Sequence, residues 1–321
     1  MENRKQYLET NNIKSQSCPT NVGVPQGSVL SPLLFLIYIN DLSNSTDMEM
    51  INFADDTLLY YPIKETKNIE SWLNMQLQNV NDWMKTNKLK LNLTKTNYML
   101  FSPKSPKFKK LKQFKFHGNS ATLINEKFYC KYLGLIIDKD LNWKEHILNI
   151  RNKLAKIVGI LYRVRNYLNK KSLTLILNSL FISKLKYGIL CYARASQTAL
   201  QPIKTLFNQA LRCINFLKRT DKSNKKLYLD EARLTLDQMF ELEVAKFCFK
   251  FNKNQLPILF NNFYTKIANI HSHKTRNFQN RLYRHNQSKK TGLLTLAHIG
   301  SKLWDKIPTK IKNLCSVLLL H

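Results

Sequence analysis

No C-x-x-C pair occurs anywhere in the 321 residues. The six cysteines, Cys18, Cys130, Cys191, Cys213, Cys248 and Cys315, are scattered singly. Zinc sites and disulfide frameworks need closer grouping, so this spacing excludes both and suits isolated reduced thiols. Long apolar runs are missing too. The longest, VLSPLLFLIYI (Val29 to Ile39), is broken by Ser31 and Pro32. As a helix it would cover about 16 Å, against about 30 Å of bilayer hydrocarbon. The first twenty residues are polar and do not read as a signal peptide. The expectation is a soluble, intracellular protein of nucleus or cytoplasm, with no membrane partner. Internal repeats and low-complexity tracts are absent as well.

Acid is scarce: 21 acidic side chains face 51 basic ones, for a formal net charge of +30. The imbalance is uneven. Residues 1 to 60 sum to −4, so the remainder carries +34. An acidic front followed by a basic body suggests a cation site beside a polyanion track, with nucleic acid as the natural partner. The basic residues are not gathered on one amphipathic helix, which weakens the case for an anionic membrane. What remains is ample for packing. The hydrophobic fraction is 44%, which argues against wholesale disorder, and the length suits two domains or one domain with a large extension.

Residues 1–20 have no apolar period and read as an irregular lead-in. NVGVPQGS is a turn punctuated by Gly23, Pro25 and Gly27. Ser31 and Pro32 read as the N-cap and first residue of a buried helix reaching about Asp41. MEMINFA and TLLYYPI read as strands joined by a tight hairpin at Ala54-Asp55-Asp56. Ile69, Trp72, Leu73, Leu77, Val80, Trp83 and Met84 recur at helical spacing, so the two tryptophans belong to a core stripe. KLKLNL and NYMLFS alternate. Phe114 and Phe116 before His117 suggest another hairpin, FYCKYLGLIID is strand-like, and Ser102 to Lys115 is a loop. Helical patterns then dominate, over about 143–168, 172–190, 199–217 and 230–252.

NFADDTLLYY, residues 52 to 61, carries the sharpest chemical signal. Two adjacent carboxylates stand between apolar runs with no basic neighbour in sequence. Burying them unpaired would cost several kcal/mol. Either they lie at the surface or a cation neutralises them. In a straight strand neighbouring side chains diverge, but at a turn both carboxylates can stay near one locus. Magnesium takes oxygen ligands, commonly one or two carboxylates completed by phosphates and water. A lone D-D pair is nonetheless more often a surface turn. His271 and His273 form an H-x-H without further ligands and read as a solvated loop. Asp41 reads as a surface or capping group.

GVPQGSVLSPLLFLIYINDL, NFADDTLLYY, LKLNLTKTNYMLF and CKYLGLIIDKDLNW together resemble the reverse transcriptase of non-LTR retrotransposons, most like the jockey type, over residues 22 to about 145. The resemblance implies an α+β fold: a partial polymerase palm of antiparallel sheet and packed helices, then a mostly helical thumb and C-terminal region. Its divisions are 1–20 lead-in, 21–140 palm, 141–252 thumb or connection and 253–321 basic C-terminal region. It implies RNA-directed DNA polymerase activity, with Mg2+ (or Mn2+) as cofactor, dNTPs as substrates, and RNA template, DNA primer and RNA–DNA hybrid as partners. Carried over, Asp55 is a metal-ligating carboxylate and Asp56 its neighbour at the same site. Pro25, Gln26, Gly27 and Ser28 form the loop near template and incoming nucleotide. Lys95 lies near the nucleotide phosphates, and Tyr132, Leu133 and Gly134 grip the primer end. Plain readings stay open beside these: Gly27 as a turn residue, Lys95 as a solvated lysine, Tyr132 as a packing residue.

The family's palm uses a further aspartate on a strand upstream of PQGS. Here only Glu2 and Glu9 precede Asp41. The fingers and an N-terminal endonuclease are missing as well. The expectation is the back portion of a larger polyprotein with no measurable polymerase activity alone. The alternative is a catalytically dead, basic nucleic-acid-binding fragment.

Overall fold

The computed structural model describes residues 4–20, 23–25, 27–63, 68–101, 114–117, 121–218, 220–221, 223–231, 233–267, 282–283 and 295–312. Gln26, the H-x-H pair and nearly all of the basic 102–115 loop lie outside the described residues. The chain forms two compact units, 1–128 and 129–321.

The first unit opens with short antiparallel ladders. β1 (Arg4–Gln6) pairs with β4 (Cys18–Thr20), and β2 (Glu9–Thr10) with β3 (Ile13–Lys14). Sequence shows no period there because these strands are two or three residues long and almost wholly exposed. Helix α1 (Ser31–Tyr38) follows, with Pro32 in its first turn. It was expected to be buried, and it is not. Leu33, Leu36, Ile37 and Tyr38 are exposed, while Ser31 and the flanking Ile39 and Leu42 are buried. An all-apolar helix signals burial only if a second layer covers it. Ser31 is also not the cap: it is the first helical residue.

β5 (Glu49–Phe53) and β6 (Asp56–Tyr60) form the expected hairpin, in register Glu49↔Tyr60 through Phe53↔Asp56. α2 (Ile69–Thr86) is the unit's mainstay. Its apolar stripe makes a small core of Ile69 and Leu73 with Met48, Ile63, Trp72, Leu77, Tyr98 and Leu100. Trp83 faces the other way in role: its indole N–H donates to Asp41 Oδ2 at 3.3 Å, and Tyr38 donates to the carbonyl of Asn87. Tyr61 packs its ring 4.4 Å from that of Trp72, fixing the end of β6 on α2.

Gln76 is the buried polar group of this unit, 1% exposed. Its Oε1 accepts from Thr46 Oγ1 (2.9 Å) and Asp47 N–H (2.8 Å), and its Nε2 donates to Asp47 Oδ2 (3.0 Å). The whole amide is thus spent on the turn that feeds β5. KLKLNL does not become a strand. β7 (Asn97–Tyr98) pairs parallel with β9 (Ala121–Glu126), which pairs antiparallel with β8 (Phe114–His117).

The second unit begins with the hairpin β10 (Tyr129–Tyr132) and β11 (Leu135–Asp138). Helix α3 (Lys144–Val164) leads a chain of helices. α4 (Lys170–Ile176) runs through a π-helical stretch, 177–182, into α5 (Ser183–Lys186) and α6 (Ile189–Tyr192). α7 (Gln197–Ile214), α8 (Asn224–Asp230) and α9 (Leu236–Asn252) follow. Side chains of Asn169, Ser196, Ser223 and Thr235 cap four of these, Thr235 in a reciprocal box with Gln238. Leu154, Leu161, Leu173, Phe181, Leu200, Ile203, Phe207 and Leu211 have no exposure at all. Each such residue contributes about 1.5–3 kcal/mol by burial. α10 (Leu296–Lys306) and α11 (Thr309–Lys312) are the last helices among the described residues. α10 approaches so closely at Gly300 that a β-carbon there would lie 1.9 Å from the Tyr264 hydroxyl and 3.0 Å from Cys248 Sγ.

Because Gln76 is buried and holds three hydrogen bonds, Gln76→Leu should lower the stability of the first unit by about 2 kcal/mol, leaving the Asp47 N–H and the Thr46 hydroxyl without their acceptor. Urea unfolding followed by hydrogen exchange, with protection lost first at β5, checks this.

Candidate active site

Asp55 and Asp56 sit at the tip of the β5–β6 hairpin. Phe53 pairs with Asp56, so Ala54 and Asp55 alone make the turn. Both aspartates are exposed. Among the described residues neither is in a salt bridge; the pairs present are Lys14–Glu9, Lys170–Glu231, Lys204–Asp237 and Lys246–Glu243. The turn contains Ala54 at φ 51°. Left-handed backbone costs an L-residue roughly 1–2 kcal/mol, and strain of this kind concentrates at functional turns.

The PQGS segment is closed by hydroxyls. Ser31 Oγ donates to the Pro25 carbonyl (2.5 Å) and lies 2.5 Å from Ser28 Oγ, which also accepts the Ser31 N–H (3.1 Å). Since the Ser31 proton goes to Pro25, Ser28 donates to Ser31. Gly27 supplies the positive φ, 85°, and a β-carbon there would meet nothing within 4 Å. The requirement on Gly27 is therefore conformational, not steric. Sequence reasoning missed the role of Ser31; its signal was a serine three residues after Ser28 at a helix start.

Lys95 is exposed and presented by a turn built on Asn92. The Asn92 carbonyl accepts the N–H of Lys95 (3.1 Å) and of Thr96 (3.0 Å), while its side-chain oxygen accepts from Thr94 Oγ1 (2.7 Å) and Lys95 N–H (3.3 Å). This is an Asx-turn, for which an asparagine three residues before the lysine was the signal. No hydrogen bond or ion pair among the described residues joins Lys95, Pro25, Gly27 or Ser28 to the aspartates.

Tyr132, Leu133 and Gly134 lie in the other unit, at the turn of β10–β11. Leu133 and Gly134 have φ of 44° and 82°, which gives the I′-type turn that suits a two-residue hairpin. The hairpin is fastened to the helices behind it. Tyr187 donates to the Leu133 carbonyl, and its ring would lie 3.1 Å from a β-carbon at Gly134. Gly188 admits Leu135, whose Cδ2 would lie 2.4 Å from a β-carbon there. Asp138, buried, accepts N–H groups from Asp140 (3.2 Å), Asn142 (3.0 Å) and Trp143 (2.7 Å), tying β11 to the start of α3. The Ile136 N–H donates to His146 Nδ1 at 3.2 Å. The His146 proton therefore sits on Nε2, which is buried and has no partner. The ring packs edge-on against Tyr192, 5.2 Å between centroids. Burial first, then the charge of Lys153, holds its pKa below the usual 6.5.

The aspartate pair fits a hard divalent cation in kind. Its donors are anionic oxygens, exposed and free of protein cations. It does not complete a site by itself: no group of three or more His, Cys, Asp or Glu side chains able to hold a metal occurs among the described residues. Mg2+ would take its remaining ligands from phosphate, water or another carboxylate.

An α+β arrangement with an aspartate-bearing hairpin and a closed PQGS turn is that of a nucleic-acid polymerase palm. Residues 2–137 match the family of reverse transcriptases (RNA-dependent DNA polymerases), and the curated proteins to which the chain is similar are polymerases of mobile elements. The chain is similar to the RNA-directed DNA polymerase from mobile element jockey of Drosophila melanogaster, 27% identical over 227 residues, covering 67% of this chain and 24% of that protein. It is 24% identical over 224 residues to the probable RNA-directed DNA polymerase from transposon X-element of the same species, and 25% over 228 residues to the jockey polymerase of Drosophila funebris, with the same coverage. The chain thus spans about a quarter of the length of the curated relatives it matches. Similarity over 67% of the chain exceeds the family match, so it continues past residue 137 into the helical unit.

Ala54→Gly should relieve the left-handed strain and stabilise the hairpin by about 0.5–1 kcal/mol, read as slower hydrogen exchange across β5–β6. For His146 the unfolded chain takes up a proton that the folded chain refuses. Its contribution is fully present above about pH 6.5 and is lost as the pH falls from there through the lower folded value. Lowering the pH from about 7.5 to about 5.5 should therefore loosen β10–β11, and His146→Gln, whose Oε1 still accepts the Ile136 N–H, should lose much less stability over the same window. Chemical denaturation at both pH values checks the difference.

Proposed function

We propose that this chain carries part of the active site of an RNA-directed DNA polymerase that adds dNTPs to a DNA primer on an RNA template. The observation that carries the reading is the uncommitted carboxylate pair at an exposed, strained hairpin tip within a reverse-transcriptase match. Asp55 and Asp56 would hold Mg2+, or Mn2+, in a two-ion site. Bound there, divalent ions supply activation of the primer hydroxyl and stabilisation of the departing pyrophosphate. Pro25, Gln26, Gly27 and Ser28 would present backbone and hydroxyl groups to the templating base and incoming nucleotide, on a turn already closed by Ser31. Lys95 would offset triphosphate charge or give the leaving group a proton. Tyr132, Leu133 and Gly134 would hold the primer end on a hairpin fixed by Tyr187, Asp138 and His146.

Two carboxylates are fewer than a two-ion centre uses, and no aspartate precedes Asp41. Removing even one transition-state donor costs about 10²–10³ in rate in other enzymes. The chain alone is therefore inactive in this reading, and it behaves as a basic nucleic-acid-binding fragment. The +34 carried beyond residue 60 favours that second behaviour.

Primer extension on a poly(A) template with an oligo(dT) primer, in Mg2+ or Mn2+, tests both parts. The expected result is no extension above an Asp55→Ala control, with retained binding to the hybrid that weakens steeply as salt rises. Robust extension abolished by Asp55→Ala overturns the inactivity. Failure to bind template–primer overturns the polymerase reading itself.

A further inference from the structure

A groove of about 640 Å³ opens in the helical unit between α7, α8 and the start of α9. No polymerase motif lies in it. Its volume falls within the ~300–1,000 Å³ typical of small-ligand sites.

The charge in the groove is not neutral. Lys204 is committed to Asp237 at 2.6 Å and to Gln197 at 2.8 Å, which cancels one cation against the groove's one acid. Lys225 and Arg233 remain, Arg233 held in place by Asn178 Oδ1 at 2.6 Å. Amides add base-edge chemistry. Asn224 spends its oxygen on Arg212 (2.9 Å), and Gln238 spends its oxygen on the Thr235 N–H (2.9 Å). Each therefore has its NH2 as the uncommitted donor. Asn208 also lines the groove, with its Oδ1 buried away from solvent. The remaining walls are apolar, with Leu229 71% and Leu234 39% exposed, and the Tyr228 ring set edge-on to Phe207.

Anion-binding rim, free amide donors and exposed apolar flanks are the three requirements of an unpaired nucleotide: phosphate, base edge and base face. We propose that this groove captures an unstacked nucleotide of a single strand, with its phosphate on Lys225 and Arg233, its base edge on the amide donors of Asn224 and Gln238, and its base face against Leu229 and Leu234. A duplex cannot enter, because its base edges and faces are already paired and stacked. The site is independent of the carboxylate reading: it would survive a chain with no polymerase chemistry at all. RNA and DNA single strands share the chemistry, and the experiment separates them.

The full chain is photo-crosslinked to short 4-thiouridine RNA and 4-thiothymidine DNA oligonucleotides at about 300 mM KCl, which suppresses backbone-only binding, and the adducts are mapped by peptide mass spectrometry. The expected adducts fall within residues 224–238. Lys225→Ala with Leu229→Ser, both surface positions that leave the core intact, should weaken single-strand binding about fivefold or more while changing duplex binding less than about twofold. Stronger labelling by one oligonucleotide assigns the sugar. Adducts confined to other peptides, single-strand affinity unchanged by the double variant, or equal losses for single strand and duplex would each overturn the proposal. So would full displacement by an acidic peptide with no adduct in 224–238.

Discussion

A two-stranded ladder is at best marginally stable in water, and this chain is built from several. What makes them usable is that hairpins are fastened to helices through side-chain hydrogen bonds. Gln76 on α2 spends its whole amide on the turn that feeds β5. Tyr187, His146 and Asp138 hold β10–β11 against the helical unit. Ser31 closes the PQGS turn on the start of its own helix. In each case a side chain bonds loop or hairpin backbone, and the geometry of that segment is set by the contact as well as by any ladder of its own.

That arrangement separates two demands that usually conflict. A cation site needs carboxylates not already neutralised by the protein, whereas a chain with 51 lysines and arginines offers many neutralising partners. Asp55 and Asp56 stand at the tip of a two-residue turn, in no ion pair among the described residues, which keeps the pair available. The cost appears in the backbone as the positive φ of Ala54. Other acids are spent elsewhere, on structural pairs such as Lys170–Glu231 and Lys204–Asp237.

Much of this was legible in the sequence because it is local. The D-D hairpin, the stripe of α2 and the helices after Trp143 all follow from periodicities and turn residues within a few positions, whereas FYCKYLGLIID, read as one strand, folds back at Leu133-Gly134 into β10–β11. The four motifs, read together, also named the family. Long-range facts were not legible. Nothing near Gln76 announces Thr46 and Asp47, thirty and twenty-nine residues away. Nothing near Leu133 announces Tyr187. The exposure of α1 was misread for the complementary reason: composition tells how apolar a helix is, and only tertiary structure tells what covers it. KLKLNL alternates like a strand yet pairs with nothing, since alternation makes a strand only where a neighbour accepts its ladder.

Charge is also segregated along the sequence: the first sixty positions sum to −4 and the remainder to +34. On the proposed reading, the first would suit a divalent cation and the second the phosphates of a bound strand. Were the signs intermixed, lysines would compete with metal for Asp55 and Asp56, and acids would repel a polyanion. A segregated charge pattern removes both conflicts without any specific contact. On the proposed reading it would tolerate sequence change in the basic region, provided the sum is kept, more readily than change at Asp55, Asp56 and the turn that presents them.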